Sequence, residues 1–354
     1  MKTKKINDME IVLPKSKAFA YETPPNCPKA HQNCLVIGKR GSGKSVSAVN
    51  LIEMMKYDRV FIISPTMASN KDLMDRLGVD EADIFEDPDD IECLDIIKQA
   101  IEEEAEALDR YLEDMKKYNL LMRLMNRKDP IDIPEELLVD FYNPMTGNFE
   151  KPTHKWNGKK PMCCLLIDDC VGSKLFSKGI QRLNKLTILH RHLGGLKNVE
   201  GAIGLSLFFL VQSYVVAHGG ISKCIRNNAT TIILFKTKNS RELNQIVEEC
   251  SGEILPEVFM EMYEYALCEK HDFLFIDLHK KDEHASSFRR NFNEFLIPEE
   301  FCTCQAKGLP RGSCGKKTAP EENKIDLKKD IKDKTSNKKN KKDKDAQLPE
   351  RKDL

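Results

Sequence analysis

Apolar residues fall in short continuous runs, separated by stretches whose apolar positions recur at helical spacing. The run Asn33-Cys-Leu-Val-Ile-Gly38 enters a glycine-rich turn, and residues 45–57 then repeat apolar side chains through Val49, Ile52 and Met55. Residues 59–64 form a second run closed by Pro65, and its unbroken apolar character predicts a parallel strand covered on both faces. Strand, turn, helix and strand in that order make a βαβ unit. Further runs at 162–167, 206–211, 231–235 and 273–278, with helix-compatible segments such as 241–250 between them, predict a mostly parallel sheet of about six strands flanked by helices.

One region departs from this alternation. After the acidic residues 81–90, a long stretch without Gly or Pro places Leu94, Ile101, Leu108, Met115 and Met122 seven residues apart. Ile97, Tyr111, Tyr118 and Met125 fill most of a second seam, which Glu104 interrupts. The pattern predicts a helical insertion over about 84–150, either a projecting hairpin or coiled arm or an ordinary amphipathic helix lying on the sheet. Residues 1–30 read as an irregular N-terminal arm, 31–300 as the α/β domain, 301–314 as a cysteine-containing segment, and 315–354 as a disordered Lys-rich tail too poor in apolar residues to bury a core.

Composition changes the picture little. The 354 residues are 40% hydrophobic, enough for a substantial core, and 56 Lys+Arg balance 56 Asp+Glu, so affinity for nucleic acid must come from local patches. The tail from Lys324 to Leu354 carries twelve Lys/Arg against seven Asp/Glu, as fits an electrostatic arm or a solubilising one. The first fifteen residues lack the apolar core of a secretory signal and no run is long enough for a membrane span, so an intracellular protein is expected. The twelve cysteines lie mostly in apolar surroundings and suit a reducing compartment. Cys302, Cys304 and Cys314 lack a fourth ligand at suitable spacing and read as loop cysteines rather than a zinc site.

The chemistry concentrates in four places. Gly38-Lys-Arg-Gly41-Ser42-Gly43-Lys44-Ser45 matches G-x-x-x-x-G-K-[ST] between a predicted strand and a predicted helix, where backbone N–H groups and the helix start cradle phosphates, Lys44 reaches the β/γ-phosphates and Ser45 binds Mg2+. A second apolar strand ends in Asp168 and Asp169, as expected for a strand adjacent to the phosphate loop: Asp168 for the metal, Asp169 to polarise an attacking water. A third strand ends in Gln212, placed to sense the γ-phosphate or hold the water. Arg191 and Arg226 flank that strand, and either is a candidate for a nucleotide of the same or a neighbouring subunit.

Taken in order, GKRGSGKS, IISPT at 62–66, LLIDD at 165–169, RH at 191–192, LVQS at 210–213 and IRNN at 225–228 resemble the FtsK/HerA-type genome-packaging ATPases of large eukaryotic DNA viruses and of virophage- or Polinton-like elements. The resemblance spans residues 31–280, with the RH and IRNN matches its more discriminating part. It implies a P-loop NTPase fold and an ATP-driven motor, with Mg2+, that moves double-stranded DNA into a capsid. It further implies a homo-oligomeric ring with active sites between subunits, capsid or vertex proteins as partners, and a place in the host cytoplasm, a viral factory or the virion. Lys44 and Ser45 would bind nucleotide, Asp168 the metal, and Gln212 would be the sensor. Asp169 stands where many relatives carry a catalytic Glu, and its shorter reach departs from the wider superfamily.

Three other readings stay open. Asp169-Cys-Val-Gly172 spells the D-x-x-G of a GTPase, but residues 126–129 lie before it rather than after, and Thr237-Lys-Asn-Ser240 lacks the Asp that selects guanine. A non-catalytic scaffold would use nucleotide only as a switch, and a helicase or pump would serve replication or transfer. No base-reading motif is present, so contact with DNA is expected through phosphates.

Overall fold

A computed structural model describes residues 21–66, 71–127, 133–215, 220–252 and 254–297. The cysteine-containing segment and the Lys-rich tail lie outside the described residues, as do 1–20 of the arm.

The elements in chain order are β1 (Asn33–Ile37), α1 (Lys44–Met55), β2 (Arg59–Ile63), α2 (Lys71–Leu77), β3 (Ile84–Phe85), α3 (Cys93–Met125), α4 (Glu135–Phe141), β4 (Tyr142–Asn143), β5 (Asn148–Phe149), β6 (Cys163–Asp168), α5 (Ile180–Leu189), β7 (Ser206–Val211), α6 (Lys223–Asn227), β8 (Thr231–Phe235), α7 (Ser240–Cys250), α8 (Pro256–Ala266), β9 (Phe273–Asp277), β10 (Phe288–Arg290) and β11 (Glu294–Leu296). A nine-stranded sheet runs β11-β10-β9-β8-β1-β7-β6-β2-β3, while β4 and β5 pair separately. The pairings from β8 through β3 are parallel and those from β8 outward through β11 are antiparallel. The expected sheet of about six strands thus gains β3, β10 and β11, whose two or three residues are too short to show a pattern.

Successive residues of each strand serve opposite faces. Leu35, Ile63, Leu165, Phe209 and Leu234 meet the helices α3 and α5–α8, whereas Val36, Ile62, Leu166, Leu210 and Ile233 meet α1. Burial on both faces explains why the strands read as continuous apolar runs.

Two expectations are corrected here. The strand ending in Asp168 is not next to the strand that feeds the phosphate loop: β7 lies between β1 and β6, bonded in parallel to both. Periodicity identifies strands but carries no information on their lateral order. The insertion also begins later than residue 84, because Ile62 and Ile63 pair with Ile84 and Phe85 and make β3 the sheet edge.

The long helix α3 combines the two forms anticipated for it. Its first half buries Cys93, Leu94, Ile97, Ile101 and Ala105 in the sheet's own core. Its second half packs on the segment that follows, with Tyr118 against Phe141 and Tyr111 against His154 at ring distances of 5.5 and 5.2 Å. Glu104, the break in the seam, is buried: it accepts hydrogen bonds from Arg59 at 3.0 Å and from the Trp156 indole at 2.8 Å, while Arg59 also grips Asp83 with two 2.8 Å bonds. Residues 21–27 lack regular structure but are strapped down. Lys281 donates to the carbonyls of Thr23 and Pro24, and Arg289 to that of Asn26. His284 Nε2 lies 2.7 Å from the carbonyl oxygen of Pro25. No helix among the described residues is long and apolar enough to cross a membrane.

Candidate nucleotide-binding site

Residues 38–43 leave the carboxyl end of β1 and turn into α1. Gly38 N donates to Val211 O at 3.0 Å, which ties the start of the loop to the end of β7. Gly41 and Gly43 have φ of 75° and 107°, a region that side chains rarely enter, and a Cβ built on Gly38 would lie 2.8 Å from that of Phe235. The glycines are therefore required by backbone shape and close packing. Gly43 caps α1 without a side-chain hydrogen bond, and the first turn carries no acidic residue, so the helix start offers its N–H groups and partial positive charge to an anion.

Lys44 is buried, and among the described residues its ammonium donates only to the carbonyl of Lys39, at 3.3 Å. Ser45 Oγ donates to Asp168 Oδ2 at 2.7 Å. Asp168 is almost fully buried, and burial pushes its carboxyl above the usual range, with Asp169 adding to the shift and Ser45 and Lys44 opposing it. Asp169 is exposed and adopts φ 51°, uncommon for a residue with a side chain. Gln212 is exposed and follows directly on Val211, whose carbonyl holds Gly38, while Leu210 pairs with Asp168. The interposed strand thus sets Gln212 between the phosphate loop and the carboxylates.

The residues fit a triphosphate and Mg2+. A cradle that only glycine can form, an uncapped helix start and a buried ammonium suit the phosphates. A hydroxyl and a carboxylate are the hard oxygen ligands Mg2+ takes. No cluster of three or more acidic, His or Cys side chains able to hold a metal occurs among the described residues, and Mg2+ commonly draws its remaining ligands from phosphate and water.

The arginines are elsewhere. Arg191 follows α5 and is exposed; its neighbour His190 places Nδ1 2.7 Å from Leu205 O, just before β7 begins. Arg226 lies in α6 ahead of β8, where the Asn33 amide donates to Ile225 O at the start of β1. Both therefore sit at the amino edge of the parallel strands, across the sheet from the phosphate loop. Arg226 is further engaged by Glu249 at 3.3 Å and stacks on Tyr214 at 5.1 Å.

Two residues at the site escaped the sequence reading. Glu242, buried in the first turn of α7, accepts from Ser213 Oγ, Tyr214 N and Thr237 Oγ1 and so holds the turn after Gln212. His271 places Nδ1 3.0 Å from the carbonyl oxygen of Ser42 in the phosphate loop. Neither falls in a motif; only the fold brings them there.

The elements and the loop together make an α/β P-loop NTPase fold. No family model matches the sequence, and no curated protein matches it. Among solved structures, the chain is similar to the genome packaging NTPase B204 from Sulfolobus turreted icosahedral virus 2 in complex with ATP-gammaS, at 15% identity over 69% of this chain and 91% of that one, TM-score 0.35. The same protein with AMPPCP gives 16% identity, the same coverage and the same score. The pCW3 conjugation coupling protein TcpA with ATPγS matches at 16% identity over 72% of this chain and 58% of that one, TM-score 0.35.

Proposed function

We propose that the chain is an ATPase that couples hydrolysis to movement of double-stranded DNA, most specifically the packaging of a viral genome into a capsid. One observation carries the enzymatic part: Ser45, at the start of the helix that follows β1, and the buried Asp168, at the end of β6 on the far side of β7, meet at 2.7 Å beside a glycine-only loop and a buried Lys44. Bound Mg2+ would neutralise charge on the β- and γ-phosphates, with Ser45 and Asp168 as its protein ligands. Lys44 would exchange its carbonyl partner for phosphate oxygen, Asp169 would accept a proton from the lytic water, and Gln212 would orient that water.

The motif order, with RH at 191–192 and IRNN at 225–228, supports the motor and packaging reading. A ring is supported by the placement of Arg191, which is exposed at the amino edge of its own sheet, away from its own phosphate loop, and is free to serve a neighbour's phosphates. Arg191, exposed and without an ion pair among the described residues, is the better candidate.

The test is ATP hydrolysis by the intact chain with and without double-stranded DNA, together with sizing in ATP. Stimulation by DNA and assembly in ATP are expected. Absence of any turnover would favour a scaffold that only binds nucleotide, and turnover competed by GTP as well as by ATP would favour the GTPase reading.

A further inference from the structure

His271 belongs to the loop between α8 and β9. Because β9 runs antiparallel to β8, with Phe273 opposite Phe235, this loop meets the sheet at the edge where the phosphate loop emerges. There His271 Nδ1 lies 3.0 Å from Ser42 O. A carbonyl only accepts, so Nδ1 carries the hydrogen and donates.

That bond has a consequence one atom further on. The Ser42–Gly43 peptide is planar and trans, so its C=O and N–H point in opposite directions. Turning the Ser42 oxygen toward His271 turns the Gly43 N–H away from it, and among the described residues this N–H has no acceptor. It is one of the successive amides that a loop of this kind aims at phosphate. A Cβ built on Gly43 would lie in contact with both Phe235, at 3.6 Å, and the His271 ring, at 3.7 Å, so these two side chains bracket the peptide.

His271 is itself held in an uncommon shape. Its φ is 71°, a conformation that persists where the surroundings impose it. The adjacent Asp272 supplies the constraint, accepting from Glu269 N at 3.2 Å, Asn291 Nδ2 at 2.8 Å and Arg290 at 2.9 Å, which fastens the loop to the turn after β10.

We propose that His271 is a positioning residue of the nucleotide site, donating to Ser42 O so that the Gly43 N–H faces the phosphates, while making no phosphate contact itself. The role rests on the nucleotide-binding reading above. An amide held toward phosphate in both the bound and the reacting state contributes uniform binding, so its loss raises KM and leaves kcat nearly unchanged. AMP, which lacks the β-phosphate, should be indifferent to it.

The experiment uses the full chain and its His271→Ala, His271→Asn and Lys44→Ala variants, titrated with ATP and AMP in Mg2+ and assayed for turnover, with thermal melting as a check on folding. Asn places an amide N–H near the position of Nδ1. His271→Ala is expected to weaken ATP about tenfold, a difference of about 1.4 kcal/mol, with kcat within twofold of wild type and AMP unaffected. His271→Asn should restore most of the ATP affinity. Wild-type affinity in His271→Ala, or an Asn variant that folds but binds as weakly as Ala, overturns the role of His271 alone. If the wild type binds ATP no better than Lys44→Ala does, the nucleotide reading and the role of His271 fall together.

Discussion

Asp168 satisfies two conflicting demands. Burial favours its protonated form in the folded chain, so its contribution to stability is complete below the ordinary carboxylate pKa and is lost as pH rises through the raised value. Metal binding needs the ionised form. Turnover should therefore fall on acidification at a pH above the ordinary aspartate value, and raising Mg2+ should push that limb to lower pH; a pH–rate profile at two Mg2+ concentrations checks both. Asp168→Asn should melt no lower than wild type at neutral pH yet lose Mg2+-dependent turnover by on the order of 100-fold. Asp169→Asn is expected to spare ATP binding and abolish hydrolysis. At this scale the sequence was most informative: the loop, Ser45 and Asp168 were legible because their chemistry demands fixed spacing. His271 and Glu242 were not, because each acts on the backbone of a segment far away in the chain.

Among the elements, polar residues that interrupt apolar patterns do structural work. Glu104 breaks the seam of α3 because it closes a buried network with Arg59 and Trp156. Glu104→Leu would restore the heptad but leave the indole N–H and one arm of Arg59 unpaired, and should lower stability by about 2 kcal/mol in a denaturant titration, since Asp83 still holds the guanidinium. Glu242→Ala should cost a similar amount, about 2 kcal/mol, and also reduce kcat, because the turn that presents Gln212 loses its anchor. A loss of stability with kcat intact would separate Glu242 from the reaction. The six long strands were readable as unbroken apolar runs, and α1, α3 and α7 from their helical spacing. The order β1-β7-β6 was not, since a buried parallel strand reads the same wherever it lies in the sheet.

For the molecule as a whole, the amino edge carries its own pH dependence. His31 stacks edge-on against Tyr21 at 5.0 Å, and burial, reinforced by His190, Lys160 and Arg191, pushes its pKa down from 6.5 to about 4. The unfolded chain then binds more protons than the folded one between those values, so this contribution is complete above pH 6.5 and is lost as pH falls toward 4. It amounts to about 3 kcal/mol, and a stability–pH curve should flatten over that window in His31→Gln.

The arginines and the phosphate loop on opposite edges of one sheet also restrict how copies of this chain can share a nucleotide. If Arg191 completes a neighbour's site, each contact joins two patches that lie on opposite edges of the sheet, which a heterologous, head-to-tail arrangement repeats at every interface; a two-fold dimer would have to bring both patches of each copy into one self-complementary interface. Each subunit then lends a cation in one direction and borrows one from the other. Lys44→Ala and Arg191→Ala chains, each inactive alone, should therefore regain part of the turnover when mixed before assembly, because at some junctions an intact Lys44 meets an intact Arg191. Mixtures that stay inactive, with mixed assemblies demonstrated by sizing, would show that no such lending occurs.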